Sequence, residues 1–460
     1  MQIAQVRRWV QERPWIAMVV FALLLRTVII FGVRTYEFNL RPPTGELVHR
    51  LWPKAVFDDR FYFGYETGAI ARNIVTGHGF SSPFGGSTGP TAWIAPLYPL
   101  MCAAVFKVFG VFTLASALAI YELNSIFGAL TCIPLYLMGK RTLGNRIGLY
   151  AGWVWAAGLI FTWWPTTWMW DMAASALLMT WLLERTLALA DSPSLRGWLW
   201  LGFLWGIAAL TNPALISVLP PSLAWPAWKS RQAGLSWIRP LATASLCFFL
   251  TISPWLVRNR MVFGQWVFLR SNAGFEFALA NYHYSNGFGW LGKHPSQNRW
   301  QWDEYAQMGE LGYVHAKTAD AFKFVRKYPM EFVNLTGLRT WAFWYGTILR
   351  YGAGVDWEEW VYWPLSLIGI MGLITVVLRR EPGSWLFAAT LLLYPLPYYL
   401  TAPAVRYRHA IEPLLLLLSS YFVAGFCADA KVRLLSLFHT LRGATSREPQ
   451  FDGQVEASQR

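Results

Sequence analysis

The stretch WIAMVVFALLLRTVIIFGV, residues 15–33, decides the fold, and Arg26 is its only charged residue. An apolar run of this length crosses a ~30 Å hydrocarbon core as α-helix, because only there are all backbone groups paired within the segment. Similar runs recur at 116–138, 146–165, 171–189, 197–211, 213–228, 239–256, 358–378, 383–401 and 409–427. The chain therefore reads as an all-α integral membrane protein with about 10 spans. Thr211-Asn212-Pro213 separates the fifth run from the sixth and predicts a helix break near one membrane face. The basic N-terminus, MQIAQVRRWVQERPW, leads into the first run without a clear small-residue cleavage site, which predicts a retained span.

Composition agrees. Of 460 residues, 55% are hydrophobic and 14% charged, with 28 tryptophans. The net charge of +14 would suggest nucleic acid in a soluble protein. Here many cations sit in short loops between apolar runs, where they orient the spans, and no basic run is interleaved with base-stacking aromatics in a soluble domain. Cys102, Cys132, Cys247 and Cys427 lie inside apolar segments without metal-site spacing and read as packing residues.

With Arg7, Arg8 and Arg13 on the cytoplasmic side, alternate short loops should be basic. They carry Lys140, Arg141 and Arg146, then Arg185 and Arg196, then Lys229, Arg231 and Arg239, then Arg379 and Arg380; Lys431 and Arg433 follow the last span. Both termini are thus expected in the cytoplasm. Two long segments, 34–115 and 257–357, fall on the outer side. Apolar 94–110 must begin and end outside, as a re-entrant or interfacial helix, and 330–350 reads as a second surface helix. The chain divides into an N-terminal membrane module with the first outer loop (1–256), a large outer segment (257–357), C-terminal membrane helices (358–428) and a cytoplasmic tail (429–460), polar and expected to be disordered over 443–460.

Candidate chemistry gathers outside. In YETGAIARNIVTGHGFSSPF, residues 65–84, the spacing predicts a short helix with Glu66, Ile70, Asn73 and Ile74 on one side, ended by Gly77. Asp171 stands at the outer start of the fourth span among tryptophans, either as a helix-start acid favoured by the dipole or as a functional carboxylate. Arg258 emerges after the seventh span; snorkelling explains it alone, whereas the following RSNAGFEFALAN supplies Arg270, Asn272, Glu276 and Asn281, donors and acceptors suited to sugar hydroxyls and phosphate oxygens. TAPAVRYRHAIEP puts Arg406, Arg408 and His409 outside, against the topogenic trend, which points to a local anionic partner. Asp58 and Asp59 have the oxygen ligands for a divalent metal, although adjacent carboxylates beside an arginine are more often a solvated loop. Arg26 reads as snorkelling or paired with an acid, Glu122 among the options, and Asn334-Leu335-Thr336 fits a glycosylation sequon of the kind that arises often by chance.

Acids and arginines at one outer face suit transfer of a group from a membrane-held phosphate, with a carboxylate as base and guanidinium groups on the departing phosphate. They suit anion transport equally. Transporters commonly show paired broken helices, and this chain shows one break and no obvious internal repeat. No P-loop or glycine-rich nucleotide fingerprint is present.

These motifs, with GPTAWIAPLYP, GKRTLGNRIGLYAGWVWA, LTNP, SPWLVRNR, MGELGY and AVRYRHAIEPLL, stand in an order similar to that of the GT-C glycosyltransferases. The nearest group is bacterial family 39, related to protein O-mannosyltransferases and the aminoarabinose transferase of lipid A. The resemblance implies a polyprenyl-phosphate-sugar donor, a glycan, lipid or protein acceptor, and an active site at the periplasmic face of the bacterial inner membrane. It implies Glu66 as catalytic base, Asp171 as its support or the acceptor's, and Arg258, Arg406 and Arg408, with His409, on the donor phosphate. Many relatives carry an acidic pair and a Tyr where this chain has Glu66-Thr67, which leaves Asp58 and Asp59 as the alternative counterpart. The aminoarabinose branch has Glu-Lys where this chain has Trp93-Ile94, so that branch's phosphate-contacting Lys is absent.

Overall fold

A computed structural model of the chain describes residues 13–34, 65–287, 291–346 and 359–427. The expectations for Asp58, Asp59, the extreme N-terminus and the 429–460 tail lie outside these residues. Helix dominates the described residues, and the one β-bridge pairs Ser81 with Pro90.

Six helices are long and apolar enough to cross a membrane: Pro14–Gly32, Leu114–Thr142, Met172–Asp191, Ile238–Phe263, Val361–Leu378 and Arg406–Cys427. The pair Asn145–Ala157 and Leu159–Thr167, bent by 46° where Gly158 takes an extended conformation, is long and apolar enough only when taken together, as a broken span or a re-entrant loop. The other three expected spans are shorter or broken. Leu195–Thr211 has 17 residues, 213–228 divides into a 3-10 turn Pro213–Val218 and the helix Leu219–Gln232, and 383–401 divides into Ser384–Leu393 and Leu396–Leu400 around Pro395. The Thr211-Asn212-Pro213 break is built as the sequence predicts. A residue before proline is pushed out of the helical region, and Asn212 sits at φ −146°, ψ 103° with its side-chain oxygen accepting from the Ala214 N–H at 3.1 Å.

Between apolar helices in lipid, close packing and paired polar groups do the work that water exclusion does elsewhere. Gly139 and Gly148 face each other at one crossing, and Gly202 lies directly against Ala244 of the Ile238–Phe263 helix. A Cβ on Gly202 would come within 2.1 Å of the Ala244 carbonyl oxygen, which is backbone and cannot swing aside. Gly202→Val is therefore expected to pry these helices apart and cost about 1–3 kcal/mol, toward the upper end; an unchanged melting temperature in detergent would contradict this packing. Buried indoles are satisfied in the same bundle: Trp155 donates to the Gly128 carbonyl at 2.8 Å and Trp205 to Ser222 Oγ at 3.0 Å.

The outer segments rest on the bundle. Tyr65–Val75 and Leu97–Phe109, the helix expected to be re-entrant or interfacial, share a buried cluster in which Ala71, Tyr98, Cys102 and Phe106 meet Ile30, Ile120, Tyr121 and Met169. The second outer segment supplies Ala273–Ala280, Arg299–Lys327 and Pro329–Tyr345; the last lies where a surface helix is expected. Phe84 and Trp93 of the first segment pack with Phe275, Leu279, Tyr305 and Tyr313 of the second. These two long segments, far apart in sequence, are thus joined by a shared apolar cluster.

Candidate functional site

Glu66 opens the Tyr65–Val75 helix, which ends at Gly77 with φ 86°, the left-handed conformation that favours glycine. Asn73 donates to the Ser81 carbonyl at 2.8 Å and so ties the returning loop to the helix. The Glu66 carboxylate keeps 20% exposure, enough to meet a ligand, and lies 3.5 Å from His294 Nε2. Burial is the main reason its pKa is pushed up to about 7, and Glu276 adds to the rise while Arg270 and Arg406 oppose it.

The same two arginines act on Asp171 and Glu276 as well. Three carboxylates from separate parts of the chain therefore share the field of two guanidinium groups. Asp171 stands at the N-cap position of the helix it precedes, without a side-chain cap bond, and accepts from Ser175 Oγ at 3.3 Å. Ser175 in turn accepts from Asn212 Nδ2 at 3.2 Å, so the Asn-Pro break supports this corner. Glu276 accepts from Asn272 Nδ2 at 2.9 Å, and burial pushes its pKa up.

The arginines are held without being used up. Arg270 donates through Nε to the Trp93 carbonyl at 3.1 Å. Arg406 lies over the Trp170 ring, 3.5 Å from its centroid, and donates to Tyr407 Oη at 3.2 Å. A guanidinium stacked on an aromatic face keeps its in-plane donors for a planar anion or a phosphate.

The structure places the other expected site residues differently. Arg258 donates to the carbonyls of Thr91 and Phe80 at 2.7 and 2.8 Å and stacks on Trp255, so it clasps the first outer loop to the end of the Ile238–Phe263 helix. Arg408, buried, points at the carbonyls of Trp344 and Tyr362 and pairs with Glu412 at 3.7 Å. His409 meets the same Glu412 at 2.7 Å and lies against Trp155. Asn281 donates to the Leu400 carbonyl and accepts from Arg339. All four are bound into the framework, Arg258 and Asn281 by groups far off in sequence and Arg408 and His409 also by Glu412 on the next turn.

Two residues outside the expected set prove central. Glu310, 4% exposed, accepts from the Ala92 N–H and Ser271 Oγ at 2.7 Å each, from Tyr305 Oη at 2.8 Å, and from Thr91 Oγ1. The preceding Gly309 breaks the helix at φ 70°, ψ 164°, and this kink turns Glu310 toward the GPTAW loop. MGELGY was the available signal for it. His294 carried none: a single histidine in a polar loop is usually surface. Among the described residues no group of three His, Cys, Asp or Glu side chains could hold a metal ion.

Residues 93–257 match the family model described as dolichyl-phosphate-mannose-protein mannosyltransferase. The archaeal oligosaccharyltransferase AglB from Archaeoglobus fulgidus, solved with an inhibitory peptide and a dolichol-phosphate, superposes with a TM-score of 0.50 at 13% identity over 96% of this chain and 53% of its own. This chain thus spans about half the length of that protein. ArnT from Cupriavidus metallidurans, solved with undecaprenyl phosphate, has a TM-score of 0.39 at 12% identity, covering 91% of this chain and 79% of its own. No curated relative matches the sequence. The family model covers residues 93–257, about a third of the chain, and the likeness to AglB over nearly the whole chain is one of fold: a helical membrane protein built like a lipid-linked glycosyltransferase.

Proposed function

We propose that the protein transfers a monosaccharide from a polyprenyl-phosphate carrier to a glycan, lipid or protein acceptor at the periplasmic face of the bacterial inner membrane. The observation that carries this reading is the meeting of Glu66, Asp171 and Glu276 around Arg270 and Arg406. The match of residues 93–257 to a family described as dolichyl-phosphate-mannose-protein mannosyltransferase supports it.

In this reading the donor enters from the bilayer and its phosphate binds Arg406 and Arg270. The acceptor hydroxyl passes its proton to the Glu66 carboxylate while its oxygen attacks the anomeric carbon. The bond from that carbon to the phosphate oxygen breaks, and its electron pair leaves with the polyprenyl phosphate, stabilised by the two guanidinium groups. Attack opposite the leaving group inverts the anomeric configuration. Asp171 orients the acceptor or the base, and Glu276 and Asn272 lie beside the sugar. Arg258 acts by holding the Phe80–Thr91 loop in place.

The test is incubation of the purified protein in detergent with undecaprenyl-phosphate-linked sugars, followed by mass spectrometry of the lipid. Release of undecaprenyl phosphate supports the transferase; a donor that stays intact in detergent and crosses only vesicle membranes supports a transporter. Arg406→Ala and Arg270→Ala are each expected to weaken donor binding by roughly 10–100-fold, the loss of one charged hydrogen-bonding partner. Unchanged donor affinity in both variants would remove them from the phosphate site.

A further inference from the structure

His294 sits 7% exposed between the two outer segments, its ring set edge-on to Phe84 and Phe275, each with centroids 5.3 Å away, and near Trp93. Its Nδ1 lies 3.1 Å from the Ser296 backbone nitrogen and 2.6 Å from Ser296 Oγ. A backbone N–H can only donate, so Nδ1 must be the lone-pair nitrogen, and the neutral ring carries its proton on Nε2. Nε2 lies 3.5 Å from Glu66 Oε1, beyond ordinary hydrogen-bond length, and contacts that are long without substrate tighten in the substrate complex. Burial pushes the pKa of His294 down to about 3, so the ring stays neutral throughout the working range. The other charged groups acting on Glu66 are Glu276, Arg270 and Arg406.

We propose that His294 is a positioning residue for Glu66: a fixed, neutral Nε2–H donor that favours the ionised carboxylate and leaves its second oxygen to take the acceptor proton. Its bearing on catalysis rests on the transferase reading, whereas the contact with Glu66 does not. His294 cannot accept the proton in relay, because its basic nitrogen is occupied by Ser296. The ring therefore tunes and orients Glu66 without joining the proton transfer.

The experiment titrates the full-length protein in detergent by infrared difference spectroscopy, following the protonated-carboxyl stretch with Glu66→Gln as the assignment control. A band absent from that control should titrate near neutrality in the wild type. His294→Phe keeps the ring's bulk and His294→Met is a second variant lacking the donor; in either, the midpoint should rise by about one pH unit, a tenfold change in proton affinity. His294→Gln retains a donor at similar reach and should shift the midpoint less. The acid limb of the transfer rate should move up by the same amount in the donor-less variants. An unmoved midpoint in Phe and Met, an equal shift in Gln, or the lack of any band sensitive to Glu66→Gln each overturns the inference. Should Glu66→Gln retain full transfer while the midpoint moves as stated, the transferase role of Glu66 fails and the hydrogen bond stands.

Discussion

Glu66→Gln is expected to lower sugar transfer by roughly 10²–10⁴-fold, the usual contribution of a positioned general base. The amide has nearly the shape of the carboxylate and can still meet His294, but it cannot accept a proton from an attacking hydroxyl. Donor binding should survive, because Arg406 and Arg270, the groups proposed to hold the phosphate, are intact and lose only one of the three carboxylates that share their field. The pH profile of the wild type carries the same claim. A base works ionised, so with its pKa pushed up to about 7 the rate should climb with pH through neutrality and level off above it. A Gln variant with wild-type turnover and intact donor affinity would take Glu66 out of the chemistry.

Glu310→Ala is expected to destabilise the outer body by about 3–5 kcal/mol, as breaking a buried charged network typically does. Its removal leaves four donors, from Thr91, Ala92, Ser271 and Tyr305, without their common acceptor. The hydroxyls can rotate toward other partners; the Ala92 N–H is fixed by the backbone and cannot. Burial pushes the pKa of Glu310 up while these donors hold the ionised form, so the ledger for the carboxylate depends on all of them being present. Activity should fall together with stability, because the same loop presents the Trp93 carbonyl to Arg270. Glu310→Gln, which keeps one acceptor oxygen, should fall between. A Glu310→Ala protein that melts like the wild type would show that the two outer segments are joined by other means.

Parts of the site were legible before folding because their signals are local. Glu66 rides a helix whose periodicity and terminal Gly77 lie within one short stretch. Arg406 stood out because cations at the outer end of a span run against the topogenic trend. Asp171 was ambiguous from its neighbours, and in the structure it stands at the helix start and engages the hydroxyl of Ser175, four residues on. Arg258 and Arg408 looked equivalent to Arg406 in sequence. All three lie over aromatic rings, and they differ in what meets their donors: backbone carbonyls for Arg258, carbonyls and Glu412 for Arg408, and the field of three carboxylates for Arg406. Glu310 and Thr91, 219 positions apart, could not have been paired from either motif alone.

By itself the sequence determined that this is a multi-span helical membrane protein, because hydropathy over some twenty residues is a property of contiguous chain. Only the tertiary structure decided which charges meet. Whether a buried guanidinium is satisfied by carbonyls or left facing acids depends on groups hundreds of residues away, and the cost of an unpaired charge away from water makes that choice strict.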